Sequence, residues 1–316
     1  MIDFEYLQTG IQGLANAHKA GTMAGHLGAA VVAGYFLGED HADWDDAVFA
    51  GITGELKRII AGEEAIWWNV KQTGLTAEAL FEPLPDGPAN AEAIRTLAEA
   101  LARNIGETRQ SGHNVIFAAI AIRALSDHTD MATPAVLAGV RKLIAGFNGA
   151  HAGRGYYGKP TGWKTGNQVR LDAANDFPAY SSVNEMAGVM IDELIATAEI
   201  KKQGFGGLWH LVNHTAAILE LDRFGYKDLA RQGLPAHHYH IRLHRSLPDV
   251  GDELGPVVKS THDPRDPMYW ESMLKRDEAR LTHRIKTLYG YYVLRRYVEE
   301  ETKRREADEA FLWLMA

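Results

Sequence analysis

Three histidines stand at the start of apolar segments and are the first candidates for chemistry. His26 opens the run that ends at Gly38, His113 opens the run that ends at Leu125, and His214 opens a weaker third copy. Apolar residues follow each histidine at helical spacing, which predicts three inner helices. An imidazole at such a position can move a proton or polarise a carbonyl near neutral pH. We therefore take His26, His113 and His214 as candidate catalytic residues.

A histidine and a lysine towards the carboxyl-terminal end form a further candidate site. His283 and Lys286 are three residues apart, so a helix would place both on one face. On an inward-facing turn the lysine could bind an anion or polarise an oxygen, and on an outward-facing turn it would extend to solvent. Both residues join the candidate catalytic set.

Two histidine pairs have the spacing of partial metal sites. His210 and His214 are four residues apart, as are His240 and His244, so each pair shares a helix face. Two such histidines supply half of a metal-ligand set. The zinc-protease motif is absent because Leu211 occupies the position of its glutamate. His210 and His214 are candidate metal ligands, and hydrogen-bonded structural histidines are the alternative.

Residues 148–178 break the helical pattern with glycine, proline, aromatic and basic residues. The stretch Gly153–Lys159 resembles a phosphate-binding loop, but a helical segment precedes it and Pro160 replaces the required Ser or Thr. A loop of this length in a compact domain is often functional. We interpret it as a mobile lid, in which Arg154 and Lys159 are candidate cofactor-binding residues.

Aromatic side chains are candidates for the wall of a substrate pocket. For the adjacent tryptophans at 67 and 68, packing against a neighbouring helix is the alternative. The predicted substrate-binding residues are Trp67, Tyr156, Tyr157, Trp163 and Trp209.

Composition narrows the class of protein. The chain has 316 residues, is 46% hydrophobic and carries a formal net charge of −8 with no basic stripe, which argues against a nucleic-acid partner. Cysteine is absent, so thiol chemistry and cysteine metal sites are excluded. The longest apolar run, residues 27–38, is short for a membrane span. With no signal peptide evident, a cytoplasmic protein without a membrane partner is expected.

The chain-wide pattern predicts an all-α fold without strands. An A-V-x-A-G motif follows both His26 and His113 at nearly equal distance, which indicates stacked helix pairs, open or closed into an α/α toroid. We predict one domain over 1–316. The predicted boundaries include a helix capped by Asp43, helical continuation through 63–68, a second inner helix from Glu107, and one long helix from Tyr269 to near the end.

The histidine-led segments resemble the questin oxidase-like family. The resemblance rests on Gly25-His26 with Gly38 twelve residues after the histidine, on Gly112-His113 followed by Arg123-Ala124-Leu125, and on Thr282-His283-Arg284-Ile285-Lys286. The chain departs from the family pattern where Gly25 replaces an asparagine, Ala121 replaces a histidine, and Asp277-Glu278 is displaced from His283. The resemblance implies a Baeyer–Villiger-type oxygenase that uses NADPH and a polycyclic aromatic ketone.

Three functional hypotheses follow. The favoured one is an oxygenase-like enzyme that acts on a hydrophobic, carbonyl-containing small molecule in a helical cavity lined by His26, His113, His214 and His283. The second is a metal-dependent enzyme built on His210 and His214. The third is a non-catalytic helical-repeat binding protein. These hypotheses leave two cofactors open, NADPH and a histidine-bound metal ion. The sequence does not specify the substrate or the oligomeric state.

Overall fold

The computed structural model describes residues 1–172, 177–273 and 280–316, and over these ranges it confirms the all-α class. The α-helices are, in chain order, α1 Phe4–Asn16, α2 Gly25–Asp40, α3 Asp46–Ile60, α4 Val70–Thr73, α5 Ala77–Leu80, α6 Arg95–Leu101, α7 His113–Asp127, α8 Pro134–Ala145, α9 Val183–Thr197, α10 Gly207–Arg223, α11 Lys227–Arg245, α12 Gly251–Leu254, α13 Pro267–Met273, α14 Leu281–Arg295 and α15 Glu301–Phe311. Two strands, β1 Arg154–Tyr156 and β2 Trp163–Thr165, pair antiparallel. Short 3₁₀ helices occupy Ala17–Lys19, Thr22–Ala24, Ala91–Ile94, Gln110–Gly112, Thr129–Met131 and Gly166–Gln168.

The chain divides into two compact units. Unit 1 comprises 1–101, 117–147 and 262–289, and unit 2 comprises 102–116, 148–261 and 290–316. The expectation of one domain over the whole chain, and of a solenoid or toroid, stays a prediction.

Unit 1 is built around α2, whose apolar residues are buried on every side as an inner helix requires. Helix α2 packs against α1 and α3, and α8 packs against α1 and α6. The approach of α1 to α2 depends on glycine. A Cβ at Gly28 would lie 2.3 Å from the backbone nitrogen of Leu14 and 2.7 Å from the carbonyl oxygen of Gly10. The G-H-L-G sequence therefore brings the first turn of α2 close against α1.

Unit 2 is built around α10, which is buried along nearly its whole length. Helices α9 and α11 pack against α10, and α15 packs against α9. The predicted third inner helix is therefore confirmed, but it begins at Gly207, so His214 lies in its interior rather than at its start.

Two boundary predictions in unit 1 were wrong. The cap of α3 is Asp45 rather than Asp43, because the Asp45 carboxylate accepts the N–H of Ala47 at 2.7 Å. The helix does not continue through 63–68, which form turns. Gly62 adopts φ +82°, a left-handed conformation that follows the last turn of α3 and ends it.

Two other long helices are shorter than predicted. The second inner helix begins at His113 rather than Glu107, because Gln110, Ser111 and Gly112 all have positive φ. The expected helix from Tyr269 onward is divided into α13, α14 and α15. Residues 274–279, which include Asp277 and Glu278, lie outside the described residues.

The segment 148–178 contains the strands that the sequence did not predict. Arg154 pairs with Thr165 and Tyr156 with Trp163 across the hairpin. A strand of three residues is too short to establish an alternating pattern that could be recognised beforehand.

Candidate functional site: two clusters of buried histidines

Unit 1 contains a cluster of polar and aromatic side chains, all buried except the half-buried Trp67, here called the Lys286 cluster. His26 lies in the first turn of α2, and His283 and Lys286 lie in the first turns of α14. Glu64 and Trp67 come from the turns after α3, and Phe117 comes from α7. The complete cluster is His26, Glu64, Trp67, Phe117, His283 and Lys286. It unites four predicted site residues from distant parts of the chain.

The amine and imidazole of this cluster are in direct contact. Lys286 Nζ lies 2.5 Å from Nδ1 of His26. The indole of Trp67 stacks on the imidazole of His26, with ring centroids 3.8 Å apart and an angle of 9° between the ring planes. The His283 ring lies 4.8 Å from the His26 ring, and Lys286 Nζ lies 5.6 Å from the centroid of Phe117. The amine therefore faces the ring of Phe117 and contacts an imidazole that packs against the rings of Trp67 and His283.

Three contacts fix the start of α14. The N–H of Thr282 donates to Glu64 Oε2 at 2.6 Å, which places a carboxylate at the positive end of the helix. Arg284 forms a buried ion pair with Glu55 of α3 at 2.6 Å. Together with the contact between Lys286 and His26, these bonds orient successive turns of α14 within unit 1.

Burial changes the protonation of the cluster. Desolvation lowers the pKa of Lys286 to about 7, and the charge of Glu64 only partly offsets this effect. Burial also raises the pKa of Glu64, against the N–H of Thr282 that favours its carboxylate. Both shifts favour the neutral forms, so near neutral pH a substantial fraction of Lys286 is a free amine.

Unit 2 contains a second cluster, here called the His214 cluster: His113, His210, His214, His237, His240 and His244. All of these side chains are buried. His210 and His214 lie on α10, and His237, His240 and His244 lie on α11. His113 begins α7, and its ring meets that of His210 edge-on at 4.5 Å.

Hydrogen bonds determine the tautomers at the centre of this cluster. His240 Nε2 donates to the carbonyl of Phe205 at 2.8 Å, so neutral His240 has a lone pair on Nδ1. His214 Nδ1 lies 3.2 Å from that atom and donates to it. His214 Nε2 is then a bare lone pair, and it is buried without a hydrogen-bond partner in the part of the chain that the structure describes.

A second series of hydrogen bonds fixes the tautomer of His237. The hydroxyl of Thr215 donates to the carbonyl of Leu211 at 2.8 Å, so it accepts from His237 Nε2 at 2.7 Å. Tyr180 then donates its O–H to His237 Nδ1 at 3.2 Å. His237 is therefore held in one neutral tautomer.

The left-handed segment before α7 orients two more histidines. The carbonyl of Gln110 accepts from His113 Nδ1, and the carbonyl of Ser111 lies 3.3 Å from His210 Nδ1. Gly112, at φ +85°, lies against the ring of His214, where a Cβ would be 2.8 Å from Cγ. Strained backbone of this kind is often found where side chains must be positioned.

The His214 cluster is held neutral by burial. Desolvation lowers the pKa values of His214, His237 and His244 well below the ordinary histidine value, and neighbouring histidines and cations add to the effect. Burial lowers the pKa of His240 to about 4. Both ring nitrogens of His244 lack a hydrogen-bond partner among the described residues.

The hydrogen bonds of this cluster can be compared with those of metal-ligating histidines. In metal sites a histidine usually donates its second ring N–H to a carbonyl or carboxylate, and His113 and His210 have that arrangement. Within residues 1–172, 177–273 and 280–316, however, no group of three or more His, Asp or Glu side chains is placed to hold a metal ion. The predicted pair His210 and His214 thus has suitable tautomers but no third ligand in position.

The predicted lid residues lie on the hairpin in unit 2. The hydroxyl of Tyr156 donates to Glu253 Oε2 at 2.8 Å, and the backbone N–H of Lys159 donates to the same carboxylate at 3.1 Å. Tyr157 contacts the hydroxyl of Ser246 at 2.7 Å. The hairpin is therefore fastened to the segment that follows α11.

The hairpin does not fit a nucleotide phosphate. Arg154 lies over the ring of Trp163 at 5.5 Å, and both side chains are exposed. Glu253 occupies the N–H of Lys159 that a phosphate would need, and its negative charge would repel one. The assignment of Arg154 and Lys159 as NADPH ligands therefore stays a prediction that the geometry of the hairpin does not support.

Trp209 and a surface groove of unit 2 belong to neither histidine cluster. The indole N–H of Trp209 donates to the carbonyl of Leu314 at 2.9 Å, which fastens α10 to the end of the chain. A groove of about 450 Å³ is lined by residues that include Ile195, Lys259 and Trp313. None of the predicted site residues lines this groove.

Sequence reasoning placed several members of each cluster but not all. His26 and His283 lie in unit 1 and His113 and His214 in unit 2, so one cavity lined by all four stays a prediction. Glu64 was missed because a single glutamate in a polar stretch carries no motif. His237 was not among the predicted site residues, and both of its ring nitrogens are hydrogen-bonded within unit 2.

Comparisons of the chain with family models, with curated proteins and with solved structures find no match. Every helix in the described ranges is too short or too polar to cross a membrane.

Proposed function

We propose that this protein is an enzyme that acts on a hydrophobic, carbonyl-containing small molecule, with Lys286 and His26 as its proton-transferring pair. The observation that carries the proposal is the 2.5 Å contact between Lys286 Nζ and His26 Nδ1 in a buried site. A proton can move along this contact, and a general acid or base is most effective when its pKa is near the working pH. The pKa of about 7 for Lys286 meets that condition.

The surroundings of the pair support an aromatic substrate. Trp67, Phe117 and His283 present ring faces around it, and flat rings stack well on such walls. The resemblance to questin oxidase-like proteins extends the proposal to oxidation of a polycyclic aromatic ketone with NADPH.

The test is a turnover screen of aromatic ketones and quinones, with and without NADPH, followed by mass spectrometry of the products. We expect turnover by the wild-type protein, and its loss in Lys286→Met, which removes the amine at similar side-chain length. Lys259→Met, at a partly exposed lysine, is the matched control and should keep turnover. Equal turnover in Lys286→Met and the wild type would contradict the proposal.

A metal-dependent enzyme is the second candidate. It is favoured by Nε2 of His214, which is buried without a hydrogen-bond partner among the described residues and leaves a lone pair for a metal. Elemental analysis of protein exposed to iron, manganese or zinc should give about one ion per chain. His214→Ala should lose that ion, whereas His151→Ala, at an exposed histidine, should keep it. No stoichiometric metal in the wild type would exclude this candidate.

A further inference from the structure

We propose that Lys286 reacts covalently with aldehydes and ketones, forming an imine through its Nζ. The inference rests on the proposed function and narrows its substrates to carbonyl compounds that condense with a primary amine. Esters and amides are thereby excluded, because neither condenses with a primary amine to form an imine.

The first argument is the state of the amine. Only a neutral amine has the lone pair that attacks a carbonyl carbon, and a lysine in an apolar pocket is activated in this way. Lys286 is 3% exposed, contacts the imidazole of His26 and faces the ring of Phe117. The same burial that brings its pKa to about 7 supplies the free base at neutral pH.

The second argument is two buried polar atoms of the same cluster. Trp67 Nε1 and Glu64 Oε1 have no hydrogen-bond partner of ordinary geometry within the described residues, although the Thr282 side chain interacts with the Glu64 carboxyl. Buried polar groups are nearly always paired, so each unpaired one calls for an explanation. An indole N–H donates to a carbonyl oxygen, and a carboxyl exchanges protons with a hydroxyl. A bound carbonyl compound would supply both missing partners.

The condensation balances without a redox partner. The Nζ lone pair of Lys286 forms a bond to the carbonyl carbon, while the C=O π electrons move to the oxygen, which accepts a hydrogen bond from Trp67. His26 takes the proton lost from nitrogen and passes it to this oxygen, which gives the neutral carbinolamine. Glu64, whose pKa is raised by burial, protonates the hydroxyl of the carbinolamine. Water leaves as the C=N bond forms, and hydrolysis by the reverse path returns the amine.

The experiment uses 1-phenyl-1,3-butanedione and the full-length protein. A reactive lysine condenses with this diketone to a stable enaminone that absorbs in the near ultraviolet. We expect one adduct per chain, with the mass of the diketone less one water, and peptide mapping should place it at Lys286. The rate should rise with pH through about 7, as the amine deprotonates. Glu64, His26 and His283 are the other titratable groups of the cluster.

Variants separate this inference from simple lysine reactivity. Lys286→Met and Lys286→Arg should give no enaminone, and Lys259→Arg should react like the wild type. Trp67→Phe keeps a ring over His26 but removes the N–H, so its adduct should form about a hundredfold more slowly. The Trp67→Phe variant serves as the second test if the Lys286 variants fail to fold, which circular dichroism would reveal. Adducts spread over exposed lysines, or an unchanged rate in Trp67→Phe, would overturn the inference.

The outcomes also separate the inference from the proposed function. Ketone turnover that needs Lys286, without an adduct and without inactivation by borohydride, would overturn the imine and leave the acid–base role. An adduct at Lys286 in a protein whose turnover screen is negative would support imine formation and contradict the proposed enzymatic function.

Discussion

At the residue scale, Lys286 and His26 are two bases that compete for one proton. If both were protonated, two positive charges would lie 2.5 Å apart in a site with little water. The pair therefore holds at most one proton between the amine and Nδ1 near neutral pH. Burial has already lowered the pKa of Lys286, so this one shared proton can be exchanged with a bound molecule at modest cost.

The ion pair between Arg284 and Glu55 gives a residue-scale prediction about stability. Both side chains are buried, at 5% and 0% exposure, and Glu55 also pairs with Arg58 at 3.3 Å, so Glu55→Gln removes a buried carboxylate that two arginines share. We expect Glu55→Gln to lower the free energy of unfolding by about 3–5 kcal/mol. The measurement is urea unfolding followed by circular dichroism.

A double variant and a surface pair test the cause of that loss. Glu55→Leu with Arg284→Met removes both charges and should recover most of the stability. Glu99→Gln breaks the exposed ion pair with Arg95 and should cost less than about 1 kcal/mol. Equal losses in Glu55→Gln and Glu99→Gln would show that burial of the pair is not the cause.

At the element scale, the contact of α1 with α2 depends on a missing side chain. A methyl group at Gly28 would lie 2.3 Å from the Leu14 nitrogen, so the two helices must separate. We expect Gly28→Ala to lower the free energy of unfolding by about 1–3 kcal/mol, as overpacking does in cores. Thermal unfolding gives the measurement.

Gly188 in α9 is the matched control for that substitution. Among the described residues, no atom outside the adjacent backbone of the same helix lies within 4 Å of a Cβ built there, so alanine meets no obstacle. Gly188→Ala should stabilise the protein by about 0.5–1 kcal/mol, since alanine restricts the unfolded chain. A stabilising Gly28→Ala would mean that the α1–α2 contact adjusts freely.

The elements were predictable to the extent that one periodic pattern defines them. α2 and α10 follow from apolar residues at helical spacing after His26 and His214. The end of α3 and the start of α7 depend on left-handed backbone at Gly62 and at Gln110–Gly112, which periodicity does not report. The Lys286 cluster needed tertiary information as well, because Glu64 joins it through one bond to the N–H of Thr282.

At the scale of the whole molecule, the neutral histidines of the His214 cluster make stability depend on pH. His214, His237, His240 and His244 have pKa values below the ordinary 6.5, so the unfolded chain binds more protons than the folded one between pH 6.5 and the folded values. The contribution of these histidines to stability is therefore fully present above about pH 6.5 and is lost as the pH decreases below it. Partly buried His18 acts in the same direction, and Glu64, with its raised pKa, acts against it.

His240 allows this prediction to be tested on one group. Its pKa of about 4 corresponds to a loss on the order of 3 kcal/mol in the free energy of unfolding between pH 6.5 and pH 4. Glutamine can donate to the Phe205 carbonyl and accept from His214, but it does not titrate. In urea unfolding from pH 4.5 to 7.5, His240→Gln should therefore show a slope smaller by about 1.4 kcal/mol per pH unit. His151→Gln, at an exposed histidine, should keep the wild-type slope. An unchanged slope in His240→Gln would mean that this histidine is protonated in the folded protein, and the tautomer chain through His214 would then be wrong.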